Sequence, residues 1–227
     1  MKLPFKPYLK EAGFHQTQRR LPHREQAGCT YFVTWRLGDS VPLPLLAEWK
    51  AEREVFLREH PKPWDDALYE EYARRFERRL ERWSDAGHGD CHLRQPELRA
   101  VMTTALRHFD GIRYDLVAFV VMPNHVHGLV RPYVGTVAED KETRERCAAD
   151  PELLNPTSLA GVLRSWKGYT AREINQRLGR SGALWMDESF DHAVRSAVQL
   201  ERFRQYIAEN PSKAGLPPSD YEVWLSE

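Results

Sequence analysis

Two histidines, His125 and His127, stand one residue apart in the stretch VVMPNHVHGLV, which is otherwise almost entirely apolar. In a β-strand the side chains of residues i and i+2 point to the same face, so both imidazoles would project together and Val126 would point the other way. Neutral ring nitrogens held side by side can bind one divalent metal ion. The alternative is a pair of hydrogen-bonded polar histidines at the edge of a sheet, because H-x-H alone is a weak motif.

The segment 157–179 carries a tyrosine and a carboxylate in helical spacing. Tyr169 and Glu173 are four residues apart, so on a helix they share a face beside its apolar stripe. If that stripe packed on the sheet, Glu173 would become the third metal ligand and the Tyr169 phenol would lie about one helical turn away. In the alternative reading, Tyr169 is an aromatic at the boundary of the core and Glu173 is a solvated charge.

Cations crowd the same segment. It contains Arg164, Lys167, Arg172 and Arg177, and Glu173 is its only acid. A basic helix around a tyrosine suits a phosphodiester better than a sugar or a peptide, since phosphate oxygens attract such charges. These four residues are therefore candidate DNA contacts, and the alternative for them is a solvated helix face.

The elements that position these residues belong to a chain of 227 residues, which is long enough for one large core with an added subdomain. Basic and acidic residues balance at 33 each, which argues against coating of nucleic acid by bulk charge but leaves room for a local basic groove. No apolar run approaches the roughly 20 residues of a membrane helix, and no apolar signal segment begins the chain. The cysteines Cys29, Cys91 and Cys147 form no C-x-x-C pair, which favours reduced thiols in the cytoplasm.

Hydrophobic periodicity predicts an α+β fold with an antiparallel sheet. Strands are predicted at 28–37, 114–122 and 125–132, with a short one within 183–194, and helices are predicted at 95–111, 157–179 and 196–210. This is the βαββαβ order of a ferredoxin-like fold. Two further helices, at 43–60 and 65–87, form a helical insertion after the first strand, and the last helix is predicted to stop at Asn210-Pro211.

The same patterns divide the chain into regions. Residues 1–27 are predicted to be an N-terminal arm, 28–216 the main domain and 217–227 a C-terminal tail. Within the main domain, 43–87 is the helical insertion and 135–156 is a polar loop.

Three motifs follow one another along the chain in this order: MPNHVHGLV, SWKGYTAREIN and YIAENPSKAGL. Together they resemble the REP-associated tyrosine transposases of the IS200-like (Y1) group of HUH endonucleases, over most of the chain. The resemblance implies the ferredoxin-like fold, with His125 and His127 as metal ligands and Tyr169 as the single nucleophile. It places a polar third ligand four residues after the tyrosine, which is Glu173 here, although the family often has an amide. Met186 stands where the family often has glutamine.

The resemblance also implies an activity. Such proteins are metal-dependent, site-specific endonucleases and strand transferases that act on single-stranded DNA beside imperfect hairpins. With Mg²⁺ or Mn²⁺ bound, the tyrosine forms a 5′-phosphotyrosine and releases a 3′-hydroxyl. We expect a cytoplasmic monomer or homodimer with no membrane partner, in which Tyr31, Trp35 or Trp185 are possible stacking contacts if they are not part of the core.

Two other functions remain open at this point. One is a protein that binds nucleic-acid hairpins with the same fold but without turnover. The other is a zinc hydrolase with two histidines and Glu173 as ligands and water as nucleophile, although the chain has no H-E-x-x-H helix.

Overall fold

The computed structural model describes the chain in six stretches, which are residues 7–8, 15–18, 22–26, 28–61, 64–133 and 158–227. The polar loop predicted at 135–156 lies outside the described residues, as do Cys147 and most of the predicted arm at 1–27. No helix in the described part of the chain is both long and apolar enough to cross a membrane.

A five-stranded antiparallel sheet forms the centre of the molecule. The strands of the chain are β1 (His15–Gln18), β2 (Pro22–Glu25), β3 (Tyr31–Leu37), β4 (Tyr114–Val121), β5 (His125–Pro132), β6 (Trp185–Ala193) and β7 (Glu222–Leu225). β1 and β2 pair only with each other, whereas the main sheet has the order β6-β3-β5-β4-β7.

The helices alternate with these strands. They are α1 (Leu43–Glu59), α2 (Asp66–Tyr72), a π-helical turn (Ala73–Glu77), α3 (Arg78–Asp85), α4 (Pro96–Arg107), α5 (Leu159–Arg177) and α6 (Ala197–Lys213). The series β3-α4-β4-β5-α5-β6 with the fourth strand beside the first and the third beside the second is the ferredoxin-like arrangement. The predicted fold class and the helical insertion after the first strand are confirmed.

The C-terminal segment differs from the prediction of a tail. Glu222–Leu225 forms β7, which pairs with β4 and extends the sheet by one strand. Trp224 stacks on Phe119 of β4 with ring centroids 5.7 Å apart. Four residues, with two apolar residues on one face and one on the other, are too short a pattern to predict a strand, and tertiary packing decides the outcome.

The last helix also differs from its prediction, because α6 continues through Pro211 to Lys213. Proline removes one backbone donor, but here it lies in the final turns, where the loss is confined to a single bond. The ladder resumes at once, since the Ala214 amide donates to the Asn210 carbonyl at 3.0 Å. Asn210 therefore lies within the helix, in register with the residues before it.

The two faces of the sheet are covered by different helices. On β3, Tyr31, Val33 and Trp35 share a core with residues of α4 and α5. The alternate residues of the strand point to the opposite face, where Phe32 packs with α6. The sheet is thus buried on both sides, and the parity of a residue in its strand decides which helices it meets.

On the first face, the predicted apolar stripe of α5 packs as expected. Trp166 stacks on Trp35 with centroids 5.5 Å apart, and its Nε1 donates to the Tyr114 hydroxyl at 2.9 Å. Tyr31, Trp35 and Trp185 are all buried in this core. Their possible role as DNA-stacking contacts is therefore wrong, because their rings are already covered by protein.

The helical insertion packs against the edge of the sheet next to β6. Its apolar residues form a core of their own, in which Phe56 and Phe76 meet edge to face. Trp49 Nε1 donates to the Phe76 carbonyl at 3.0 Å, within the π-helical turn. Arg53 is buried and pairs with Glu188 of β6 at 3.1 Å, so an ion pair as well as apolar contact holds the insertion to the sheet.

Candidate active site

His125 and His127 project to the same face of β5, as strand periodicity predicts. They lie at the middle of the sheet, with His125 opposite Arg36 and His127 opposite Thr34 on β3. Their ring centroids are 4.8 Å apart, and both are buried, at 1% and 0% exposure. Val126 points to the other face and joins the core of α4 and α5.

The hydrogen bonds around His125 assign its tautomer. Asn124 Nδ2 donates to the carbonyls of Ser84 and His88, both at 3.0 Å, so Asn124 Oδ1 is the atom that faces the ring. That oxygen can only accept, so His125 Nδ1 carries the proton across the 2.8 Å contact. Burial, with Arg36 nearby, lowers the pKa of His125 to about 3. The ring is therefore neutral, and its Nε2 presents a lone pair.

His127 is held in a similar way. Its Nδ1 lies 2.8 Å from the Thr34 hydroxyl, and burial holds its pKa well below the usual value. The Nε2 atoms of both histidines are buried and have no hydrogen-bond partner among the described residues. A ring nitrogen bonded on one side and unpartnered on the other is the arrangement that metal-binding histidines adopt.

Helix α6 covers this face and brings a tyrosine to the histidines. Phe203 stacks on Phe32 with centroids 4.4 Å apart, which fixes the helix on the sheet. One turn later Tyr206 meets His127 edge to face, with centroids 5.2 Å apart. The Tyr206 hydroxyl donates to Glu81 Oε1 on α3. Burial and the Glu81 charge raise the pKa of Tyr206, so the phenol is protonated at neutral pH.

Asn210 lies four residues after Tyr206 and shares its helical face. It is buried, and its Oδ1 has no hydrogen-bond partner in the described chain. Four helical residues advance about 6 Å, close to the spacing between His127 and His125 along the strand. Asn210 therefore lies about one helical turn beyond Tyr206, on the helix that covers the histidine face.

Helix α3 closes the site from the insertion side with Glu81, Ser84 and Asp85. Asp85 Oδ1 is 3.6 Å from His125 Nε2. Burial, with the charge of Glu81, raises the Asp85 pKa to about 6. A carboxylate and an imidazole lone pair that face each other attract a cation between them.

Arg36 is the buried cation of the site. Its Nε donates to the Ser84 hydroxyl at 2.8 Å, and its guanidinium lies 5.3 Å from the centroid of the Phe190 ring. Burial lowers its pKa to about 10, although Glu81 and Asp85 oppose that shift. The Nη1 atom is buried without a partner in the described residues, so one strong donor remains available to an anion.

A cleft of about 390 Å³ opens beside these groups. It lies between α2, the π-helical turn, α3, β6 and α6, and Thr34, Arg36, Glu81 and Tyr206 are among its lining residues. The Tyr206 side chain and the buried arginine thus line the same opening.

Tyr169 and Glu173 are not brought to the histidines. Trp166 and Ile174 of α5 belong to the core on the Val126 side of the sheet, so the whole helix lies on the opposite face. Tyr169 is 41% exposed and lines a groove between α4 and α5. Periodicity correctly placed both residues beside the apolar stripe, but it does not indicate which face of the sheet the stripe covers.

The surroundings of Glu173 and the four cations fit the alternative of a solvated helix face. Glu173 lies 3.5 Å from both Arg172 and Arg177, so its charge is balanced within the helix. Lys167 Nζ donates to the Met186 carbonyl at 2.7 Å. Arg164, Arg172 and Arg177 are exposed on the side of the sheet away from the histidines.

The sequence contained the missing signal. Tyr206 and Asn210 lie in YIAENPSKAGL, one of the three motifs that carry the resemblance, and they are a tyrosine with an amide four residues later. The family that the motifs resemble often has an amide at this spacing, and Asn210 is an amide whereas Glu173 is a carboxylate. The sequence predicts that the last helix stops at Asn210-Pro211, which would put Asn210 at its end, whereas the helix continues to Lys213.

The donor set fits a divalent metal ion. Three buried atoms with lone pairs, His125 Nε2, His127 Nε2 and Asn210 Oδ1, have no protein partner in the part of the chain that the structure describes. Unpaired buried polar atoms cost folding free energy, so two imidazole lone pairs on one face of β5, with Asp85 3.6 Å from His125 Nε2, favour a bound cation. A separate group of Asp39, Asp90 and His92 also lies close together, but it is at the surface.

Comparison with known proteins gives limited information. No protein-family model matches the chain, and no curated protein matches it. A solved structure of the REP associates tyrosine transposase bound to a REP hairpin is similar at 15% identity, covers 92% of this chain and 93% of that chain, and has a TM-score of 0.37.

Proposed function

We propose that this protein is a metal-dependent, site-specific endonuclease and strand transferase for single-stranded DNA, with Tyr206 as its nucleophile. The observation that carries the proposal is the ring contact of Tyr206 with His127, on the face where the Nε2 atoms of His125 and His127 have no hydrogen-bond partner among the described residues. Asn210, four residues after Tyr206 on the same helix, is the candidate third ligand, since its buried Oδ1 also has no partner there. This revises the sequence-based assignment of Tyr169 and Glu173 and keeps both histidines.

His125, His127 and Asn210 would hold the metal ion, with Asp85 beside His125. When bound, Mg²⁺ or Mn²⁺ polarises a phosphate oxygen and offsets the charge that develops on it. The protein holds the ligands ready, because Asn124 and Thr34 hydrogen-bond the far sides of the rings.

The substrate class follows from Tyr206 and Arg36. Arg36 and Tyr206 both line the cleft, so a phosphate bound there would lie close to a buried cation and to the phenol. Attack by the Tyr206 oxygen on phosphorus gives a 5′-phosphotyrosine and a 3′-hydroxyl. Because the new phosphodiester resembles the old one in energy, a later hydroxyl can reseal the strand without ATP.

Hairpin-bearing single-stranded DNA is the substrate that the motif resemblance favours. Of the four cations of α5, the exposed Arg164, Arg172 and Arg177 would be free to contact only phosphates that flank the reacting bond, whereas Lys167 donates to backbone carbonyls of β6. One chain contributes all the residues of the site, so a monomer would be sufficient for cleavage.

The direct test compares two tyrosines. Wild-type protein, Tyr206→Phe and Tyr169→Phe are incubated with hairpin-bearing single-stranded DNA and Mn²⁺, and covalent adducts are separated on denaturing gels. We expect an adduct with wild type and with Tyr169→Phe, and none with Tyr206→Phe. Adduct formation by Tyr206→Phe would overturn the nucleophile assignment, and tight hairpin binding without any adduct would favour the non-catalytic alternative.

A further inference from the structure

The helical insertion contributes a catalytic residue to this site. We propose that Glu81 on α3 is the general base that accepts the proton of Tyr206 when its oxygen attacks phosphorus. This step rests on the proposed function, and it assigns a chemical role to a segment that otherwise covers the sheet.

The contact that carries the inference joins the reacting atom to a carboxylate. The Tyr206 hydroxyl donates to Glu81 Oε1, across 125 residues of sequence. Both groups line the cleft through which a phosphate would enter. A general base must lie within hydrogen-bond reach of the proton that it removes, and Glu81 meets that condition before any substrate is bound.

The phenol requires such a base. Tyrosine is a weak nucleophile at neutral pH because its usual pKa is about 10. The Tyr206 hydroxyl donates its hydrogen bond to Glu81, so the phenol still holds its proton before substrate binds. Removal of the proton during attack avoids the separate formation of a charged phenolate.

The other bases near Tyr206 are less suitable. His125 and His127 direct their unpartnered Nε2 atoms to the ligand site and use Nδ1 in hydrogen bonds, so a ring that binds metal has no free lone pair. Asp85 faces His125 at 3.6 Å. Glu81 is the carboxylate that accepts the hydrogen bond of the Tyr206 phenol itself.

The step balances in atoms and charge. The Tyr206 proton moves to Glu81 Oε1, the bond from the phenol oxygen to phosphorus forms, and the bond from phosphorus to the 3′ oxygen breaks. The 3′ oxygen takes up one proton from bulk solvent and leaves as a hydroxyl, while Glu81 keeps the proton of Tyr206. In resealing, the same steps run in reverse, and protonated Glu81 returns the proton to Tyr206 as the phenol leaves.

The structure offers a matched control for the loss of a carboxylate. Glu52 on α1 belongs to the same insertion and pairs with Arg79 at 2.7 Å, but it does not line the cleft. Glu81→Gln keeps the shape and a hydrogen-bonding carbonyl but cannot accept a proton. Glu52→Gln makes the same chemical change away from the cleft.

The experiment measures the single-turnover rate of adduct formation with hairpin-bearing single-stranded DNA and Mn²⁺. We expect Glu81→Gln to be about 100-fold slower than wild type, within the usual contribution of general-base catalysis, and Glu52→Gln to be close to wild type. Thermal unfolding of both variants checks that the fold is intact.

A second arm separates proton transfer from positioning. A fluorotyrosine incorporated at position 206 is more acidic and needs a base less, so it should reduce the Glu81→Gln defect to less than about 10-fold. An equal defect with tyrosine and fluorotyrosine would show that Glu81 only positions the phenol and would overturn the inference.

The failure of this step is distinguishable from failure of the proposed function. If wild type forms an adduct and Glu81→Gln forms it at the same rate, only the role of Glu81 is wrong. If wild type forms no adduct with Mn²⁺ or Mg²⁺, the proposed function and the Glu81 step are both overturned.

Discussion

At the scale of single residues, the site is organised by hydrogen bonds that leave particular atoms without a partner. Asn124 and Thr34 engage the Nδ1 atoms of the two histidines, so the Nε2 atom of each ring is left without a hydrogen-bond partner among the described residues. Spacing alone predicted that pair, since a strand has only two faces. Asn124 precedes His125 directly, but its role in assigning the tautomer depends on carbonyls of the distant insertion.

Residue spacing alone could not decide which of the two tyrosines, Tyr169 or Tyr206, lies on the histidine face of the sheet. Tyr169–Glu173 and Tyr206–Asn210 are both spaced by four, and both lie beside an apolar helical stripe. Which helix covers the histidine face follows from the handedness of the crossovers and the strand order, which are properties of the assembled sheet. The amide of Asn210, set against the carboxylate of Glu173, was the one local clue.

Asn210→Asp gives a prediction at this scale. The substitution is isosteric but buries a carboxylate, so we expect a lower melting temperature than wild type without metal. Mn²⁺ should raise the melting temperature of the variant more than that of wild type, because a charged ligand binds the ion more tightly in the folded state. Thermal unfolding with and without MnCl₂ measures both effects.

Asn175→Asp is the matched control for that experiment. Asn175 lies on α5, on the far side of the sheet, and its Oδ1 is also buried without a partner among the described residues. We expect no additional stabilisation of this variant by Mn²⁺. A larger Mn²⁺ effect at position 175 than at 210 would argue against Asn210 as a ligand.

At the scale of elements, the insertion carries a line of acids toward the site. Glu77, Glu81 and Asp85 are spaced by four, so they share one side of the π-helical turn and α3. The spacing shows that the three acids share a side, but it does not indicate what that side packs against, because their neighbours Arg36 and Asp191 belong to strands far away in sequence.

The stability of the protein should therefore depend on pH through Glu77. Burial, with Asp191 nearby, raises the Glu77 pKa from 4.5 to about 7, although Arg36 and Arg78 oppose the shift and Glu81 adds to it. Since the folded state binds the proton more tightly, the free energy of unfolding falls as pH rises from about 4.5 to about 7 and stays lower above that range.

Glu77→Gln should remove this part of the pH dependence. We expect the variant to gain stability relative to wild type at pH about 8, by roughly 1–3 kcal/mol, and to gain little at pH about 4. Urea unfolding at the two pH values measures the difference. Glu52→Gln should instead lose stability relative to wild type at pH about 8. Its hydrogen bond with Arg79 lowers the pKa of Glu52 in the folded protein, so the charged carboxylate stabilises the fold at pH values above the usual pKa of glutamate.

At the scale of the whole molecule, the two faces of the central sheet pack against different helices. Helices α4 and α5 supply the large core on one side, where Trp35, Tyr114 and Trp166 interlock. Helices α3 and α6 carry Glu81, Asp85 and Tyr206 of the candidate site on the other side. Strand and helix order predicted this architecture, because the βαββαβ pattern admits few topologies, but it did not predict β7, whose four residues depend on β4 as a template.

The final prediction concerns that edge of the sheet. Truncation after Leu216 removes β7, exposes the outer backbone edge of β4 and uncovers the Phe119 ring on which Trp224 stacks. Arg204 also loses the Ser226 carbonyl, which it reaches at 3.1 Å from α6, the helix that carries Tyr206. We expect a loss of roughly 2–4 kcal/mol in the free energy of unfolding and greater self-association, because an unpaired edge strand is a template for pairing with other chains. Urea unfolding and light scattering measure these effects.

Trp224→Ala is the control for the truncation, because it removes the aromatic contact but keeps the β7 backbone. We expect this variant to lose stability without associating. Equal association of the two variants would mean that the aromatic contact, not the paired edge, protects the sheet.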